Sequence, residues 1–163
     1  MRPQDIAILL NIIAQKNSHW RMTDIAQSTK ISPSEISESL HRSSKVQLID
    51  KNKKEVQKLN LLDFLQFGLK YVFPIETAGE VRGVPTLYSH NSIKFESSVY
   101  YVWPYAEGKL IGIAIPPLYP KQAEAALEND TYYQLLLLTD LIRFGKARGV
   151  QFAFKELKKI FNG

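Results

Sequence analysis

Residues 22–41 read MTDIAQSTKISPSEISESLH. Within them, Ser32-Pro33-Ser34-Glu35 is a helix-start signal. Ser32 can accept a bond from an unpaired amide, and Pro33 fills the first helical position, where a missing N–H costs nothing. Glu35, three residues after Ser32, closes a capping box. The spacing predicts a helix over about Pro33–Lys45 with Ile36 and Leu40 on its inner face. Upstream, Thr23 is a good N-cap with Asp24 in the first turn, which predicts a short helix from Asp24 to about Thr29. A short helix, a tight turn and a capped helix make a helix-turn-helix layout.

Residues 3–16 precede this unit and read as an amphipathic helix. Pro3 sits in its first turn, Asp5 suits the positive end of the helix dipole, and Ile6, Leu9, Leu10 and Ile13 share a face. After it, Arg42 to Ile49 and then Asp50-Lys51-Asn52-Lys53-Lys54-Glu55-Val56 read as the end of the capped helix, a short strand and a basic tip.

The stretch Met22–His41 resembles the helix-turn-helix of bacterial winged-helix regulators, most of all the MarR-like group. Ile25 and Ala26 match the apolar-then-alanine pair of the first helix, and Ile31 the apolar residue after the turn. Ile36 and Leu40 match the buried face of the recognition helix, and residues 42–56 resemble a strand and a short basic wing. Lys30 departs from the pattern, which usually has glycine there. A left-handed lysine costs about 1 kcal/mol relative to glycine.

The resemblance implies a homodimeric, sequence-specific transcriptional regulator. Its recognition helix, about Pro33–Lys45, would enter the major groove of double-stranded DNA. Ser34, Ser37, Glu38 and His41 then face the bases, and Glu38 could accept from a cytosine amine. Lys30, Arg42, Lys45, Lys51, Lys53 and Lys54 would meet phosphates, which supply affinity with little sequence information.

Charge agrees with that reading. The net charge is +5, and residues 1–58 carry ten Lys/Arg against six Asp/Glu. Most of the excess thus lies in the first third, concentrated in 41–58, as expected of a phosphate-facing stripe.

The expected organisation is α+β, mainly α. A winged helix-turn-helix domain spans 1–58, and a companion and dimerisation region spans 59–163. Residues 60–72 read as a buried helix capped by Asn60. Ser98–Trp103 and Leu110–Ile115 read as a β-hairpin with a turn at Glu107-Gly108. Residues 80–89 read as extended, with Arg82 a surface cation. Ala123–Leu127 is a helical turn. Asp130 caps a helix to about Arg148 that Gly149 ends, and a last helix spans Val150–Phe161. Terminal helices this apolar are expected to pair with a second subunit.

Other functions find less support in the residues. No cysteine is present, so disulfides, thiolate metal sites and thiol nucleophiles are excluded, and a reducing cytoplasmic address fits. His19, His41 and His90 lack metal-ligand spacing, no phosphate loop or nucleophile elbow occurs, and Tyr88-Ser89-His90 is mere adjacency. No enzyme, cofactor, metal or membrane span is expected. Two further readings are a protein-interaction or antitoxin-like adaptor, and a small-molecule effector site lined by Tyr100, Tyr101, Trp103 and Tyr105.

Overall fold

A computed structural model describes residues 1–163 and shows an α+β, mainly helical protein with one three-stranded sheet. Helix α1 (Pro3–Gln15) is buried along most of its length. Helices α2 (Met22–Thr29) and α3 (Pro33–Lys45) lie on it, followed by α4 (Lys58–Phe67) and the single turn α5 (Leu69–Val72). Strands β1 (Glu80–Pro85), β2 (Tyr101–Pro104) and β3 (Leu110–Ala114) come next, then α6 (Gln122–Leu127), α7 (Asp130–Phe144) and α8 (Ala147–Asn162). No helix is long and apolar enough to cross a membrane.

Local chemistry sets most helix ends. The Asp5 carboxylate accepts the Arg2 amide at 2.8 Å, and the Asp24 carboxylate accepts the Arg21 amide at 2.8 Å. Thr23 therefore lies inside α2 rather than capping it. Ser32 Oγ accepts the Glu35 amide at 3.4 Å, as the start signal requires. The reciprocal half of that box does not form. Glu35 instead accepts from Gln4 Nε2 at 2.9 Å, because α1 stands beside it. In α7 the cap is Asn129, not Asp130, and Gly145 in left-handed conformation (φ 80°) ends the helix. Gly149 lies within α8, where a Cβ would come 2.9 Å from the Tyr88 hydroxyl.

Helices α1 and α7 form the centre. The Tyr132 hydroxyl on α7 donates to the Ala7 carbonyl on α1 at 3.1 Å, and Asn11 Nδ2 on α1 donates to Ser28 Oγ on α2 at 2.9 Å. One core of 38 buried residues, from Ile6 to Phe161, runs through the whole chain. The boundary expected after residue 58 does not divide it. Nor are the terminal helices left bare. Leu135–Leu138 of α7 are all buried within the chain, and α8 covers them with Ala153, Leu157 and Phe161.

The sheet differs from the expected hairpin. β2 and β3 run parallel, Tyr101 beside Ile113, and β1 is antiparallel to both. β1 pairs with β3 through Glu80–Gly83 and with β2 through Gly83–Pro85. The 105–109 link crosses β1 where two glycines meet. A Cβ on Gly108 would fall 2.2 Å from the Gly83 carbonyl oxygen, and one on Gly83 would fall 2.1 Å from that of Trp103. Only glycine permits that crossing. Arg82 is exposed, as expected of a surface cation, and also donates to the Gly108 carbonyl at 3.2 Å.

A buried polar group ties the sheet to α7. Asp140 accepts from Trp103 Nε1 at 2.6 Å, Thr86 Oγ1 at 2.8 Å and Arg143 at 3.0 Å. Arg143 also donates to the Phe73 and Pro116 carbonyls, both at 3.0 Å. Every strong hydrogen-bonding group here has a partner, as burial demands.

Candidate nucleic-acid interface

The outer face of α3 is built by its inner face. Ile36, Ser39, Leu40 and Ser43 are buried against the core, so Ser34, Ser37, Glu38, His41 and Lys45 are turned to solvent. The small Ser39 and Ser43 let α3 lie close to α1. Past α3 the chain turns through Val46 and Gln47. It then makes a single antiparallel bridge, Ile49 with Val56, whose tip carries Lys51, Lys53 and Lys54. Asp50 shapes the tip by accepting the Lys54 and Glu55 amides at 2.6 and 2.9 Å. Those amides hold its carboxyl below the usual aspartate range.

Five of the expected contact residues meet at one place. Ser37, Glu38, His41, Arg42 and Lys53 line a single shallow depression between α3 and the tip. Lys45, Lys51 and Lys53 form no ion pair within the chain. Both Lys45 and Lys51 are exposed. Glu38 is also exposed and subtracts from the local positive potential.

The other three cations are occupied. Arg42 is not a free phosphate donor. Its guanidinium grips the fully buried Asp5 carboxylate at 2.8 and 3.0 Å, with its own side chain only 23% exposed. Burial alone would raise the Asp5 carboxyl, but Arg42 and the Arg2 amide outweigh it and hold its pKa below the ordinary value. Lys30 does adopt the left-handed conformation, φ 65°, in the turn between α2 and α3. Its ammonium, directed to Glu128 at 2.9 Å, gains a partner on the loop before α7. Lys54 lies 4.7 Å over the Trp20 ring and donates to the Trp20 carbonyl, while Trp20 Nε1 donates to the Lys54 carbonyl at 3.0 Å. That reciprocal pair pins the tip to the chain between α1 and α2. No sequence signal pointed to Asp5, Glu128 or Trp20 as organisers of this surface, since each acts across a long loop of chain.

The aromatic residues considered for a small-molecule site are placed differently from one another. Trp103 is fully buried on Asp140, and Tyr100 is exposed at 58%. His90 Nδ1 lies 2.7 Å from Ser92 Oγ, its ring packs on Tyr133, and burial lowers its pKa. Ser89 Oγ accepts the Tyr101 amide at 2.7 Å, tying this turn to β2.

No protein-family model matches the chain, and no curated protein or solved structure matches it significantly. The function therefore rests on the surface itself.

Proposed function

We propose that the protein is a winged helix-turn-helix DNA-binding regulator, with α2 and α3 as the helix pair and the 49–56 tip as a short wing. One observation carries this reading. The exposed, capped helix α3 presents Ser34, Ser37, His41 and Lys45 beside a lysine-bearing tip, and the two share a depression lined by Ser37, His41 and Lys53. A helix of this size fits the major groove, where hydroxyls and imidazole can bond base edges. Lys45, Lys51 and Lys53 neutralise phosphates on either side. Arg42 and Lys30 serve this surface indirectly, by fixing α3 on α1 and the turn on the α6–α7 loop.

The test is binding of the purified protein to a mixed-sequence 30-base-pair duplex across a salt series. Three free lysines per subunit predict an affinity falling with a log–log slope of about −3 per subunit. Absence of binding at low salt refutes the reading. A protein-interaction module is then favoured, for which the exposed apolar residues on α4 and α5 are the motive.

A further inference from the structure

The inner side of α4 and α5 is packed through Leu61, Leu62, Leu65 and Leu69. Their outer side is not. Leu59 is 79% exposed, Phe67 67% and Tyr71 74%, with Val72 also open. Leu59, Asp63, Phe67 and Tyr71 follow one another at four-residue steps, so they form one exposed row along α4 and into α5. The sequence predicts a buried helix over 60–72. The structure puts Leu59 and Phe67 on the surface, because α8 and α7 cover only one side. An exposed row with three large apolar side chains, interrupted only by Asp63, marks an interaction surface.

Two features identify what covers it. The ridge carries one acid, Asp63, and one base, Lys70, and neither has an ion partner within the chain. Lys70 Nζ lies 5.1 Å from the centre of the Tyr71 ring, so its charge belongs to the same face. Beside the ridge runs an apolar groove lined by Val46, Leu48, Phe64 and Val72, with Asn60 and Asp63 at its edge. The surface thus has a projecting aromatic, a hole, an acid and a base, which is what a self-complementary two-fold contact requires.

We propose that this face is the interface between two copies of the chain, with α4 and α5 antiparallel to their counterparts. A two-fold axis passing between Gln66 and Phe67 sets Asp63 of each copy opposite Lys70 of the other. The same register lays the two Phe67 rings near the axis. It brings Tyr71 of each copy to the edge of the other copy's groove, with its hydroxyl toward Asn60 and Asp63. Both charges find partners, and the ridge leaves water. The assembly does not depend on DNA binding. A dimer without affinity for duplex would retain it and remove the regulator reading. A monomer that binds duplex would do the reverse.

The experiment is sedimentation velocity of the full chain from 1 to 100 µM, for wild type and four variants, with far-UV circular dichroism as the check on folding. Asp63→Lys and Lys70→Asp each place two like-charge pairs across the axis and should weaken dimerisation at least about tenfold. The double variant restores both pairs with exchanged signs and should dimerise within about threefold of wild type. Phe67→Ser with Tyr71→Ser should be a folded monomer, since both side chains are exposed. A wild-type chain that is monomeric at 100 µM overturns the proposal. So does a dimer indifferent to the Phe67/Tyr71 change, or a charge exchange that fails to rescue.

Discussion

The Arg42 guanidinium holds the Asp5 carboxylate through Nε and Nη2 at 3.0 and 2.8 Å, joining the last turn of α3 to the first turn of α1. The carboxylate is fully buried and the guanidinium mostly so. Removing either partner leaves the other without its main compensation.

Arg42→Ala should therefore destabilise the protein by about 2 kcal/mol, below the range for fully buried pairs because Arg42 keeps some solvent. The Asp5 pKa is lowered in the folded state. Its contribution is then present above the unfolded value and lost as the pH falls through the folded one. Urea unfolding at pH 3 to 7 should show this acid loss in wild type and a flatter profile in Asp5→Asn. Equal slopes in the two proteins would refute the linkage.

The free lysines separate DNA contact from folding. Lys45→Ala and Lys53→Ala should each reduce the salt dependence of duplex binding by about one unit of log–log slope and leave the melting temperature unchanged. Fluorescence anisotropy on a labelled duplex measures this. Arg42 is the wrong residue for the same test, because its loss disturbs α3 before any DNA is present.

At the core, Arg143→Leu should cost about 3 kcal/mol by stranding Asp140. Burial already raises the Asp140 carboxyl, against the pull of Arg143, Trp103 and Thr86. Without Arg143 it rises further. A carboxyl with a raised folded pKa contributes stability while protonated, and that stability is lost as the pH climbs through the folded value. The deficit of the variant should accordingly be smaller at pH 5 than at pH 8. A deficit independent of pH would show that Asp140 does not carry it.

The glycine crossing gives a sharp contrast. Gly83→Ala drives a Cβ to 2.1 Å from the Trp103 carbonyl oxygen, a backbone atom that cannot step aside. The expected loss is about 3 kcal/mol or more. Gly79→Ala, where a Cβ meets nothing within 4 Å, should stay within about 0.5 kcal/mol. Thermal unfolding of the two variants side by side decides it.

Much of the helical layout was legible because its signals are local. Pro3, the Ser32-Pro33 start and the end of α2 at Thr29 each act through atoms a few residues away, and Ile36 and Leu40 declare an inner face by spacing alone. The candidate surface was legible to the same extent. Ser34, Ser37, His41 and Lys45 are exposed because Ile36 and Leu40 are buried.

What lay beyond reading was every choice among distant partners. Arg42 and Lys45 look alike in sequence, yet one meets Asp5 across 37 positions and the other meets solvent. The link at Glu107-Gly108 looks like a hairpin turn, yet Gly108 crosses Gly83 and makes β2 and β3 parallel. Leu135–Leu138 and Leu59, Phe67 and Tyr71 are similarly apolar, yet the helices packed on α7, α1 and α8 foremost, cover the first group and leave the second exposed. Capping and periodicity, acting over one or two helical turns, determined where the helices are. Burial, ion pairing and backbone crossings act between segments far apart in the chain, so only the tertiary structure decided which cations are free and which apolar face is left open.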